Sequence, residues 1–149
     1  MLLLRAMMSG KTSPRGWVVF ALWVVPVGLF AAAPGCGGSN DPRPVKWSYI
    51  SAAIMEPSCA TANCHSAIAA RASVDLSNRE VGYSSLIDRH FVISKAAEPN
   101  LSDDDRVARS PVPNLMRAVG NLRMPPDLPV PEPDIVLIEN WIRAGATND

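Results

Sequence analysis

The sequence predicts an all-α domain of about four short helices joined by long irregular loops. Three observations carry that expectation. Apolar residues recur at helical spacing at Trp47, Ile50 and Ile54, and again at Ile135, Ile138, Trp141 and Ile142. Prolines punctuate the intervals, most densely in Met124-Pro125-Pro126-Asp127-Leu128-Pro129, where no regular element can form. With 149 residues the chain has room for one domain plus accessory segments, and the order of elements needs no strand.

The accessory segments come first. Residues 1–35 carry Arg5, Lys11 and Arg15 and no acid, and residues 16–33 are an uncharged apolar run. That is the basic start and apolar centre of a signal peptide. The run is nearly long enough to span a bilayer, so a retained membrane helix is the alternative. Small residues lead into Cys36, and the polar run Gly37-Gly38-Ser39-Asn40-Asp41 follows it. This resembles the lipobox of bacterial lipoproteins, which implies that Cys36 is acylated and becomes the mature N-terminus. Residues 36–46, with Pro42 and Pro44, then read as an extended tether. Ten such residues reach at most about 33–36 Å, which keeps the domain of residues 47–149 near the membrane surface. Of the 14 basic residues three lie in the leader, so residues 36–149 hold 11 basic and 14 acidic side chains, a net charge of −3. No concentrated basic face is present, and nothing points to nucleic-acid binding.

Within the domain, the stripe Trp47, Ile50, Ile54 predicts a helix over 47–56, stopped by Pro57. Ser77 and Glu80 stand in capping-box positions for a short helix over 78–87, with Val81, Leu86 and Ile87 facing inward. Residues 88–112 read as irregular, and Asp103-Asp104-Asp105 as a solvated loop rather than a cation site. Pro111 and Pro113 introduce a helix over 114–119, ended by Gly120. Met124 follows on a stiff proline-rich loop. Pro133 opens the last helix at its first position and Gly145 stops it.

Between the first two helices lies Cys59-Ala60-Thr61-Ala62-Asn63-Cys64-His65, a C-x-x-x-x-C-H pattern. Covalent haem attachment needs two thiols that reach the two vinyl groups of one porphyrin edge and an imidazole that binds iron from one face. The shorter C-x-x-C-H signature follows that logic. Here the inter-cysteine loop is two residues longer and must bulge, which the small Ala60, Thr61 and Ala62 allow. Two other readings compete. A Cys59–Cys64 disulfide suits an exported protein, and a zinc site using both thiols and His65 lacks a fourth ligand. Cysteine counting leaves haem and disulfide open, since with Cys36 lipidated either one uses both remaining thiols.

Taken together, residues 54–65, 76–87, Met124-Pro125-Pro126 and 138–146 make the chain resemble a class I cytochrome c domain, and more closely the small bacterial haem-c lipoproteins with a C-x4-C-H motif. The resemblance implies one covalent haem c, with Cys59 and Cys64 as thioethers, His65 as the proximal iron ligand and Met124 as the distal one. It also implies that the first and last helices cross, bringing Ile50 or Ile54 against Trp141 and Ile138. Met55 and Met116, at helical positions, are expected in the core. His90 is the rival distal ligand, expected instead to be an exposed loop residue.

The resulting expectation is an exported, lipid-anchored, monomeric electron carrier on the periplasmic side of a bacterial membrane or at the cell surface. It passes single electrons to redox partner proteins. It is not an enzyme, because a His/Met iron leaves no open position for substrate. The runner-up is a haem-free exported lipoprotein module stapled by the Cys59–Cys64 disulfide. A five-coordinate sensor or peroxidase-like site follows if Met124 never reaches the iron.

Overall fold

A computed structural model describes residues 41–149. The signal peptide, Cys36 and residues 37–40 lie outside the described residues, and the lipidation reading with them. Five α-helices and no strand are found among the described residues.

Helix α1 covers residues 47–59 in three parts: α-helical Trp47–Ile50, a π-helical turn Ser51–Met55, and α-helical Glu56–Cys59. The expected stop at Pro57 does not occur. A proline in an α-helix lacks an N–H, and its ring crowds the carbonyl four residues back. The wider turn ahead of Pro57 relaxes that fit. The helix therefore runs on until the Ala60 N–H closes it onto the carbonyls of Met55 (3.2 Å) and Glu56 (3.3 Å).

Helix α2, Arg79–Asp88, is capped by Asn78, whose side chain accepts from the Val81 N–H at 3.1 Å. The expected Ser77/Glu80 capping box does not form. The Ser77 N–H turns instead to Asp75 (2.8 Å), and Glu80 pairs with Arg79. Val81, expected inside, is exposed, and Gly82 takes the inward place. A Cβ on Gly82 would lie 3.3 Å from the Trp47 ring, so the missing side chain is what lets α2 approach α1.

Residues 88–112 are not irregular throughout. Helix α3, Asp103–Arg109, begins at Ser102, whose hydroxyl accepts from the Asp105 N–H (3.1 Å) and donates to the Asp105 carboxylate (2.7 Å). The acidic run is its first turn, where the helix dipole favours negative charge. Helix α4, Pro111–Arg117, starts earlier than the sequence suggests and ends before Val119, which is exposed. Helix α5, Glu132–Arg143, begins one residue ahead of Pro133 and ends into Gly145, whose φ of +112° suits only glycine without strain.

Three aromatic rings join α1, α2 and α5. Trp47 stacks on Trp141 with centroids 5.0 Å apart, and Tyr83 meets both edge-on at 6.1 and 6.4 Å. Each polar handle is satisfied: Trp47 Nε1 donates to the Arg79 carbonyl (2.8 Å), Trp141 Nε1 to that of Thr147 (2.9 Å), and the Tyr83 hydroxyl to that of Ala146 (2.9 Å). Such pairs contribute about 0.5–1.5 kcal/mol beyond the area they bury. Ile50, Ile54, Ile135, Ile138 and Ile142 are buried in the same core, but the stacked pair joining α1 to α5 begins at Trp47, one turn before Ile50. The start of α1 has no cap from Lys46; the Asp149 carboxylate accepts from the Ser48 N–H (2.9 Å) and hydroxyl (2.8 Å) instead. No helix among the described residues is long and apolar enough to cross a membrane.

Candidate functional site

Beyond the aromatic cluster, the second half of α1, residues 60–76, α2, α4 and the Met124 loop surround an apolar cleft. It encloses about 980 Å³ free of protein atoms, open mouth included. Val74, Leu76, Leu86, Val112 and Met116 form buried parts of its walls.

Cys59, Cys64, His65 and Met124 all line this cleft. The π turn carries α1 past Pro57, so the helix delivers Cys59 at its last position. The chain then bulges as the spacing requires. Thr61, Ala62 and Asn63 are exposed, the Cys64 N–H bonds back to the Thr61 carbonyl (2.9 Å), and the His65 N–H returns to the Cys59 carbonyl (3.1 Å). That last bond brings His65 beside Cys59 despite the four intervening residues. The segment is anchored further on by the Leu76 N–H on the His65 carbonyl (2.7 Å) and the Arg71 N–H on the Cys64 carbonyl (3.0 Å).

His65 Nδ1 lies 3.2 Å from the Val74 carbonyl oxygen. A carbonyl only accepts, so Nδ1 carries a proton, and the neutral tautomer with that arrangement has its lone pair on Nε2. An imidazole fixed in this way is prepared to bind a metal through Nε2. Cys59 and Cys64 are both half-buried free thiols. Burial, with a smaller contribution from the neighbouring Cys64, pushes the Cys59 thiol up to about 11. It stays protonated at neutral pH and is a poor partner for thiol–disulfide exchange, which proceeds through the thiolate.

The Met124 loop is tied to α4 by the Met124 N–H on the Leu115 carbonyl (3.0 Å), and Arg123 Nη2 donates to the Pro126 carbonyl (2.9 Å). Met124 itself is 43% exposed on the cleft rim. Met55 and Met116 are buried as expected, yet both also reach the cleft wall. His90 does not line the cleft; it is exposed and adopts a left-handed backbone (φ 58°). No group of three His, Cys, Asp or Glu side chains among the described residues is placed to hold a metal ion, which leaves the zinc reading without a ligand set.

Several cleft residues were not anticipated from the sequence, Val74 and Val112 among them, and also Phe91 and Arg71. Phe91 is brought in by the bond from its N–H to the Leu86 carbonyl (2.9 Å), and Arg71 by its tie to Cys64. Neither lies in a periodic stretch, so the sequence holds no signal for them. Comparison of the chain with protein-family models, with curated proteins and with solved structures gives no match.

Proposed function

We propose that residues 47–149 carry one covalently attached haem and act as a monomeric, c-type electron carrier resembling class I cytochromes. The observation that carries this reading is that two free thiols, an imidazole with its Nε2 lone pair unclaimed, and a thioether line one apolar cleft. Neither rival uses that whole set. A disulfide module has no use for His65, Met124 or the cleft, and the two cysteines are unpaired.

In this role haem supplies a one-electron iron couple. Cys59 and Cys64 would hold the group as thioethers, each addition breaking one thiol S–H and one vinyl C=C π bond and forming one S–C and one C–H bond, with no net oxidation. His65 would hold it through Nε2, with the Val74 carbonyl fixing the tautomer, and Met124 would offer a soft, neutral sulfur that favours the reduced state. The apolar walls exclude water. With His65 and Met124 both engaged, no position would remain open to substrate, which would make the protein a carrier and not an enzyme. The basic and apolar leader and Cys36 support export and a lipid anchor, so its partners are redox proteins at the membrane surface.

The test is production of the full chain in a host with a c-type maturation system, followed by a haem stain of the denatured protein. Colour stays with the wild-type polypeptide and is lost from the Cys59→Ala/Cys64→Ala double variant. A wild-type chain that releases its colour overturns the reading. In the same preparation Met124→Ala loses the low-spin spectrum of the reduced protein while His90→Ala keeps it. The reverse pattern reassigns the distal ligand.

A further inference from the structure

Of the eight large apolar side chains exposed among the described residues, four fall within residues 119–128: Val119 (85%), Leu122 (71%), Leu128 (74%) and Met124. Met124 is taken up by the proposed iron site. The other three have no part in it and do not line the cleft. Exposed apolar residues scattered singly need no explanation, but a concentration of them on one segment does.

The segment is built to hold these side chains out. The Met124 N–H on the Leu115 carbonyl (3.0 Å), the Arg123 N–H on the Gly120 carbonyl (3.2 Å) and the buried Val130 fasten it to α4 and the core. Pro125, Pro126 and Pro129 stiffen it, so little freedom is left to lose when its side chains are covered. Residues 118–130 carry just two charges, Arg123 and Asp127, and they cancel.

The chain enters the domain beside this loop. Arg43 pairs with Asp41 and with Asp134 in the first turn of α5, which the loop leads into. Arg117, at the other end of the loop, pairs with Glu132 of the same turn (2.6 Å). Both ends of the loop and the incoming chain thus meet at the start of α5, and the acids nearest the apolar segment are neutralised. From Cys36 to Asp41 the chain can span at most about 18 Å.

We propose that residues 119–128 form a membrane-contact face: Val119, Leu122 and Leu128 enter the headgroup region of the lipid bilayer that holds the acylated Cys36. This rests on the lipid-anchor reading and not on haem. A bilayer suits the face better than a redox protein does. Protein encounters that transfer electrons are steered by charge, which this segment lacks. Lipid takes up apolar side chains according to their area and asks for no matching charge. The tether keeps lipid at high effective concentration near the loop, so three side chains too weak to bind a membrane alone are enough. The domain then lies in one orientation instead of turning freely on its tether.

The test uses the full chain, matured and acylated in a bacterial host and reconstituted in vesicles of phosphatidylethanolamine and phosphatidylglycerol that contain a phosphatidylcholine with a diazirine in its acyl chain. After illumination, lipid adducts are mapped by peptide mass spectrometry. Residues 118–130 carry about tenfold more adduct than residues 66–70, where Ile68 is 97% exposed but lies outside this face. Leu122→Ser/Leu128→Ser loses the loop adducts while keeping the wild-type melt and its retention on the vesicles through Cys36. Equal labelling of the two segments in wild type, or undiminished loop labelling in the double variant, overturns the membrane face. An acylated chain whose loop takes no label also overturns it and leaves the patch to a protein partner. A mature chain whose Cys36 carries no acyl group sinks the lipid-anchor reading and this one with it.

Discussion

The aromatic end and the cleft end of the domain share helices α1 and α2 and differ in what they leave unfinished. At the aromatic end Trp47, Tyr83 and Trp141 pack on one another, and each polar atom they bury finds a backbone carbonyl. At the cleft end the helices present apolar side chains without closing on them, and two sulfurs and one imidazole nitrogen have no protein partner. A buried surface left open costs stability in proportion to the apolar area still wetted. The first end is a core the chain completes by itself, and the second is a core shaped for something the chain does not encode.

The largest effect expected from that contrast follows from emptying the cleft. In Cys59→Ala/Cys64→Ala, residues 60–76 and 118–130 lose at least about tenfold in amide-exchange protection relative to the holoprotein, while α5 keeps most of its own. A haem-free chain with a native-like cooperative melt and uniform protection breaks the comparison. Next is the aromatic end: Trp141→Ala removes a buried stack and costs about 3–5 kcal/mol by urea denaturation. A loss below about 1 kcal/mol means that this end is less self-sufficient than its geometry implies.

Gly82→Ala sharpens the same point. Alanine normally stabilises a helix interior, but here its Cβ meets Trp47, which is pinned by the Trp141 stack and by the Arg79 carbonyl and has little room to yield. The net outcome is a loss of about 1 kcal/mol. A gain shows the ring to be free to move. The smallest effect lies at the start of α1. Hydrogen bonds from the Ser48 N–H and hydroxyl, aided by Lys46, hold the Asp149 carboxyl below its usual range. A lowered carboxyl gives stability that is fully present above the unfolded value of about 4 and is lost as the pH falls through the folded one. Asp149→Ala costs about 0.5–1 kcal/mol at neutral pH, an ordinary cap effect. Its melting temperature then depends less on acid than that of wild type, and parallel acid curves for the two proteins remove Asp149 from the account.

Helix α5 was legible to within one residue at its start, because Ile135, Ile138, Trp141 and Ile142 repeat at helical spacing and all four are buried. The stripe of α1 was equally plain, but its end was not. Whether Pro57 stops a helix depends on a widened turn just before it, and no local propensity announces one. Helix α3 was missed although its signal was printed in Ser102 and Asp105, since three exposed acids read as a loop and are also a good first turn. The two thiols, His65 and Met124 meet in one cleft, as an attachment motif and a Met-Pro loop suggest. Arg71 was out of reach, because residues 66–72 have no periodicity and one hydrogen bond to the Cys64 carbonyl helps decide where it sits.

The π turn in α1 has a further consequence for how this chain tolerates changes in length. It is equivalent to one residue inserted into an α-helix, and each residue advances the helix by about 100°. Ala52 and Ala53 within it are exposed, and substituting either disturbs no buried contact. Deleting either one instead restores ordinary α-helical spacing, which keeps the phase of the residues beyond it but removes the wider turn and sets the Pro57 ring against the carbonyl four residues back. At this point on the surface side-chain identity is free while residue number is fixed, so a single-codon deletion should destabilise the helix where substitutions do not.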